Sequence, residues 1–234
     1  MNPIRLETER LLIRPFELPD AEIFSAYRSD VAVARYQGWD APYPLEKAVE
    51  FIQTMQQWTP EKRGEWLQLA MVRKDTSEMI GDCAFYILKD GMQAEIGMTL
   101  ARHAQGYGYG REATLRLLTF LFEELGMQRV RANCDPRNVP SWRVLERVGL
   151  RREAHMLRST WMKGEWTDDK GRAHPAARGG GGPAAGTGDV PGEGRRRVPR
   201  RPGAPDRRGG SAPDPPRARG GVPRLRPGER ERDG

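Results

Sequence analysis

Between residues 105 and 111 the chain reads Gln105-Gly106-Tyr107-Gly108-Tyr109-Gly110-Arg111. Three alternating glycines stand directly before Arg111 to Leu125, a segment whose apolar residues recur at helical spacing. Glycine lets a backbone turn sharply and approach a ligand, because no Cβ intervenes. The first amides of a helix lack intrahelical acceptors and carry the positive end of its dipole. Together they predict a phosphate or diphosphate site. A Walker loop would close on Gly-Lys-Ser/Thr, and Gly110-Arg111-Glu112 does not. A dinucleotide fingerprint accepts Gly106 and Gly108 but meets Arg111 where its third glycine belongs; Asp135 follows at a tolerable distance, so this alternative stays open. Other polar groups with chemical potential are Glu95 before the loop and Asn138 and Ser141 after it. Cys83 and Cys134 make no disulfide framework and no metal site.

The elements that must position these groups follow from hydrophobic periodicity. Leu6 to Phe16 reads as a strand, Pro19-Asp20 opens a helix to about Ser29, and Leu45 to Trp58 is a second helix with Leu45, Val49, Ile52 and Met55 on one face. Trp66–Arg73, Met79–Leu88 and Ala94–Leu100 read as three strands joined by polar turns, an antiparallel meander. The glycine loop and its helix come next, then a strand over Arg129–Cys134, a helix capped by Asn138 and stopped at Gly149, and a strand from Leu150 to Met162. A right-handed crossover makes Ala94–Leu100 and Arg129–Cys134 parallel neighbours. The expected class is α/β, a mixed central sheet with flanking helices and ligand at the strand carboxyl ends.

Gln105-x-x-Gly108-x-Gly110 resembles the diphosphate motif of GNAT-family N-acetyltransferases. Asn138-Val139-Pro140-Ser141 followed by Leu145-Glu146-Arg147-Val148-Gly149-Leu150 resembles their downstream segment. Glu7-Thr8-Glu9-Arg10-Leu11-Leu12-Ile13-Arg14-Pro15 resembles the opening of the RimJ/RimL-like branch, and Ala94-Glu95-Ile96-Gly97 its fourth strand. The resemblance runs from about Arg5 to Asp169. It implies a GNAT fold in which acetyl-CoA, as co-substrate, lies in a V-shaped gap between Glu95–Leu100 and Arg129–Cys134. The backbone of Met98, Thr99 and Leu100 would hold the pantetheine arm. The segment Gln105, Gly106, Tyr107, Gly108, Tyr109, Gly110 and Arg111 would hold the diphosphate, and Asn138 would reach the pantetheine or cap its helix.

The implied reaction is direct attack of a primary amine, a protein N-terminus or a small molecule, on the thioester. It needs no metal and no covalent enzyme intermediate, so Cys134 is expected as a buried structural thiol. Glu95 is the first candidate for the base, acting through water, and Asp135 the second. The glutamate and tyrosine used by several family members correspond to Asn133 and Leu145 here and are not carried over. Ser141 is the candidate acid beside the sulfur, and the N–H of Thr99 or Leu100 could serve the oxyanion. Tyr36, Trp39 and Tyr43, with Trp58, are expected to wall the acceptor pocket. A nonenzymatic acyl-CoA binder is the alternative within this resemblance.

The net charge of +7 over 234 residues hides two compositions. Residues 170–234 carry 16 basic and 7 acidic groups, with 16 Gly, 15 Arg and 11 Pro and no aromatic, whereas residues 1–169 carry 23 basic and 25 acidic groups. The basic balance belongs to the tail, which excludes a basic nucleic-acid-binding domain as a reading of the whole. The expected organisation is a domain over 1–169 and a disordered tail over 170–234. Relatives of this type continue into a final strand rich in Leu, Tyr and Trp. Here that strand is expected to be missing, its place taken by residues with GC-rich codons, as a shifted reading frame would produce. An Arg/Gly arm that binds RNA is the rival reading, without the aromatics that stacking would use. No apolar run is long enough for a bilayer and Met1 to Glu9 is no signal peptide, so a cytoplasmic monomer or homodimer is expected, with no membrane partner and no nucleic-acid partner.

Overall fold

The computed structural model describes residues 4–57 and 64–176. The N-terminal run expected as one strand is a small hairpin, β1 (Leu6–Glu7) and β2 (Leu11–Arg14). Thr8 makes the turn: its N–H donates to the Leu11 carbonyl at 2.9 Å and its hydroxyl accepts from the Leu11 N–H at 2.8 Å. Helices α1 (Asp20–Arg28), α2 (Val31–Ala34) and α3 (Leu45–Gln56) follow. The meander is β3 (Trp66–Arg73), β4 (Met79–Ile87) and β5 (Gln93–Leu100), antiparallel throughout. After a 3-10 turn over Arg102–Ala104 comes α4 (Tyr109–Thr119), whose last turn widens to a π-helical stretch over Phe120–Glu124. Then come β6 (Arg129–Cys134), α5 (Val139–Arg147), β7 (Arg151–Met162) and β8 (Glu165–Pro175).

The sheet order is β1-β2-β3-β4-β5-β6-β8-β7, with β5 and β6 parallel. Alternation along the strands feeds two cores. On β3, Leu69 and Met71 join Leu117, Leu121 and Val130 beneath α4, while Ala70 and Val72 join Phe24, Tyr27 and Ile52 beneath α1 and α3.

The expected absence of a final strand is corrected here. Residues Glu165–Pro175 form β8, wedged between β6 and β7, with Cys134 opposite Lys170 and Arg129 opposite Pro175. The segment is poor in strand-forming side chains, but Lys170, Gly171, Arg172 and Ala173 pair with both neighbours, and Thr167, Arg172 and Ala173 are buried. Tertiary pairing overrides weak intrinsic propensity. β8 therefore covers the edge of β6 that its absence would leave free. The boundary expected at 169/170 is also moved, since β8 runs across it to Pro175. The remainder of the expected tail, 177–234, lies outside the described residues, as does Trp58. Among the described residues no helix is long and apolar enough to cross a membrane.

Candidate active site

The parallel pairing of β5 and β6 is short. Gln93, Ala94 and Glu95 face Arg129, Val130 and Arg131, and beyond Glu95 the two strands have no registered pairs. On its other side β5 stays paired to β4 through Leu100, so Met98, Thr99 and Leu100 are held by β4 while their β6-facing side opens into a gap. A cavity of about 120 Å³ occupies that gap. Its walls include Ile96, Gly97 and Met98 from β5, Asn133 and Cys134 from β6, Asn138 and Ser141 from α5, and Tyr36 from the segment after α2.

The glycine loop stands at the head of α4, in agreement with the sequence pattern. Gly106 and Gly108 both have φ +86°, a left-handed conformation that favours glycine, and Gly108 caps the helix. The Gln105 side chain donates to the Leu100 carbonyl at 3.0 Å, so the loop is tied to the end of β5. Gly110 allows α4 to lie close on that strand: a Cβ there would come within 3.2 Å of Met98 Cε and 3.4 Å of Leu100 Cδ1. The sequence thus places the amide-rich end of α4 beside the open strand end.

On the other wall, Asn138 accepts the Ser141 N–H at 3.4 Å and caps α5, and both residues line the cavity. Cys134 is buried there too. Burial pushes its thiol up, with the charges of Arg172 and Lys170 and a hydrogen bond with Ser141 pulling the other way. Iodoacetamide should therefore modify Cys134 slowly near neutral pH, at a rate still climbing above about pH 9. Coenzyme A should protect it. Peptide mass mapping reads both effects; rapid alkylation at pH 7 that is indifferent to coenzyme A would contradict them. Cys83 lines the same cavity, and burial raises its thiol much further.

The two base candidates are both engaged. Glu95 accepts from Arg131 Nε at 3.0 Å and Asn133 Nδ2 at 3.2 Å, at the closed end of the gap, and is not among the described residues lining the cavity. Asp135 does line it and is buried. Burial works against its charge, but hydrogen bonds from the Arg137 side chain and from the Arg137 N–H at 2.8 Å outweigh that and hold the carboxyl below the usual range. A carboxylate held ionised is a weak proton acceptor. Its folded pKa lies below the unfolded value, so the stability it contributes is present above about pH 4 and lost as pH falls through the lowered value. Asp135→Asn should cost about 1–2 kcal/mol at pH 7, and the difference from wild type should close in acid. Urea unfolding across the pH range measures this; a difference that stayed constant down to pH 2 would contradict the ion pair.

The aromatic residues divide. Tyr36 lines the cavity, with the Arg137 guanidinium 5.9 Å from its ring centre. Trp39 and Tyr43, expected with Tyr36 and Trp58 to wall the acceptor pocket, do not line this cavity. Both pack around the buried Arg28, whose guanidinium lies 4.0 Å from the Trp39 ring and 5.3 Å from the Tyr43 ring. The cation is itself fixed by Gln68 at 2.8 Å and lies 3.7 Å from Asp82, which also accepts from the Tyr27 hydroxyl. A buried charge attracts whatever aromatic faces are in reach, and these two are in reach.

Sequence reasoning misses this Tyr27–Asp82–Arg28 set, because Arg28 and Asp82 look like ordinary surface polar residues. It also misses Lys163. This residue sits in the β7–β8 turn with φ +51° and donates to the carbonyls of Ala34 at 2.8 Å and Trp39 at 2.7 Å, fastening the hairpin to the segment that carries Tyr36. No local pattern signals so distant a contact.

Comparison with known proteins agrees with this geometry. Residues 10–151 match the family described as the acetyltransferase (GNAT) domain. Among curated proteins, the chain is 31% identical over 164 residues to the uncharacterized N-acetyltransferase p20 of Bacillus licheniformis, covering 70% of this chain and 91% of that protein. It is 32% identical to the uncharacterized N-acetyltransferase YoaA of Bacillus subtilis, covering 70% and 92%. Among solved structures, a GNAT-family acetyltransferase from Bacillus anthracis superposes with a TM-score of 0.66 at 27% identity, over 74% of this chain and 98% of that one. A putative ribosomal-protein-serine acetyltransferase from Vibrio cholerae gives 0.64 at 25% identity, over 75% and 99%.

Proposed function

This chain belongs to the GNAT acetyltransferase family, an N-acetyltransferase that uses acetyl-CoA, and from that premise we propose that its acceptor is a primary amine, of a protein N-terminus or a small molecule, that attacks the thioester directly. The observation that carries this reading is the gap between β5 and β6, open beyond Glu95 and Arg131 and headed by the glycine loop of α4. In this reading the amides from Gly106 to Arg111 hold the diphosphate. The backbone of Met98 to Leu100 takes the pantetheine arm as a strand would take a neighbour, and Asn138 steadies its far end. The acetyl group then lies where the two strands part.

The neutral amine forms a C–N bond to the thioester carbon, the carbonyl oxygen gains charge, and the N–H of Leu100, on the side of β5 away from β4, donates to it. Collapse breaks the C–S bond. The departing sulfur takes a proton from Ser141, which regains one from water, or leaves as thiolate, since a thiol with pKa about 8.5 is a good leaving group. The ammonium proton passes through water towards Glu95, beside Arg131 and Asn133 at the closed end of the gap; Asp135, its carboxyl held below the usual range by Arg137, is the second candidate. Tyr36 forms one side of the acceptor entrance, with Lys163 holding its segment in place. The Vibrio cholerae neighbour, a putative ribosomal-protein-serine acetyltransferase, supports a protein N-terminus as the first acceptor to try.

The test is thiol release from acetyl-CoA by the full chain against a panel of seryl and alanyl peptides and small primary amines. Amine-dependent release with matching acetylated product is expected. A protein that binds coenzyme A yet consumes no amine would be an acyl-CoA binder instead.

A further inference from the structure

Glu112 stands in the first turn of α4, where a diphosphate drawn to the glycine loop would meet the helix. A bare carboxylate there repels that anion and competes for the same positive helix end. In this fold it is not bare. Arg10, from the β1–β2 hairpin, donates from its own backbone N–H to Glu112 Oε1 at 2.9 Å and from Nε to Oε2 at 2.7 Å, with Nη2 also 2.7 Å from Oε2. Thr8 adds its hydroxyl to Oε1 at 2.6 Å. Burial alone would raise the Glu112 carboxyl, but these hydrogen bonds lower it, so it stays a charge already matched within the protein.

The fork of Arg10 has a second use. Its Nη1 donates to the Tyr107 carbonyl at 3.1 Å, and its guanidinium lies 4.5 Å from the Tyr109 ring centre. In a planar trans peptide the C=O and the N–H point to opposite sides. Holding the Tyr107 carbonyl towards Arg10 therefore turns the Gly108 N–H to the far side, while the Gly108 carbonyl is spent on the Glu112 N–H at 3.1 Å. Gly108, at φ +86° and without a Cβ, has little else to fix its peptide planes, so this anchor sets their orientation.

We propose that Arg10 is a positioning residue for the diphosphate of coenzyme A, orienting the Gly108 amide towards the ligand and cancelling the charge of Glu112 behind it. The proposal rests on the reading of acetyl-CoA held at the head of α4, and it predicts an effect confined to donors that carry the diphosphate.

The experiment is calorimetric titration of the full chain with coenzyme A and, separately, with pantetheine, which lacks the diphosphate. In Arg10→Met the Kd for coenzyme A should rise about tenfold or more, while the Kd for pantetheine stays within about twofold of wild type. Arg10→Lys keeps a cation but cannot fork between Glu112 and Tyr107, so it should show a smaller loss of the same selectivity. Equal weakening towards both ligands would mean a merely structural residue and would overturn the proposal. Unchanged affinity for coenzyme A in both variants would overturn it as well. A wild-type protein that binds coenzyme A no better than pantetheine would instead sink the diphosphate reading itself, and this proposal with it.

Discussion

Gly108→Val should lower kcat/KM for acetyl-CoA by at least about 100-fold while leaving the protein folded. Gly108 has φ +86° and ψ −2°, a conformation in which any Cβ is strained and a β-branched one more so. Relief of that strain rotates the two peptide groups that flank the residue, and those carry the amides proposed to hold the diphosphate. Charge-assisted hydrogen bonds of this kind contribute about 1.5–3 kcal/mol each, so losing two suffices for the expected drop. Gly126→Val is the matched control. Gly126 also has positive φ, +67°, and a Cβ there meets nothing within 4 Å, but it lies at the far end of α4. Both variants should lose some thermal stability through backbone strain, and Gly108→Val should be the one that loses acetyl-CoA. Steady-state kinetics with varied acetyl-CoA decides it: a Gly108→Val enzyme with wild-type KM would remove the loop from the binding site.

Gly81→Ala should destabilise the fold by at least about 3 kcal/mol in urea unfolding, and should lower acetyl transfer in whatever protein remains folded. A Cβ at Gly81 would sit 2.2 Å from the Thr99 carbonyl oxygen and 3.0 Å from Leu100 Cα. Those are backbone atoms of the neighbouring strand, so no rotamer change relieves the overlap and β4 must move away from β5. Gly81 lies opposite Leu100 in the register, which is the stretch of β5 proposed to bind the pantetheine arm and the oxyanion. Gly97→Ala on β5 supplies the comparison, since its Cβ would meet only Trp66 Cζ3 at 3.9 Å, an ordinary contact. It should unfold within about 0.5 kcal/mol of wild type. If Gly81→Ala were equally mild, the close approach of β4 to β5 would be wrong.

The contrast between these glycines separates what a sequence displays from what it hides. Gly106, Gly108 and Gly110 announce themselves by spacing and by the helical pattern that follows, because a loop at a helix N-terminus is a local event. The parallel pairing of β5 with β6 also follows from order and handedness alone. Gly81 gives no such signal: its need for a missing side chain arises from Thr99, eighteen positions away, through the β4–β5 register. Strand β8 is hidden for a related reason. Lys170, Gly171 and Arg172 make a polar run of weak strand propensity, yet the backbones of β6 and β7 both pair with it. Trp39 and Tyr43 read as acceptor-pocket residues because aromatics in a polar loop suggest a binding wall. The buried charge of Arg28 against which both rings pack is unreadable from sequence. Sequence conveys well the chemistry of contiguous backbone; it conceals contacts that depend on register and on buried charge.

The most direct test is a crystal structure of the full chain with coenzyme A. The diphosphate oxygens should lie about 3 Å from main-chain nitrogens between Gly106 and Arg111, with the sulfur between β5 and β6 beside Ser141. A bound coenzyme A whose diphosphate rests elsewhere, or whose pantetheine arm stays out of the gap, would contradict the proposed site.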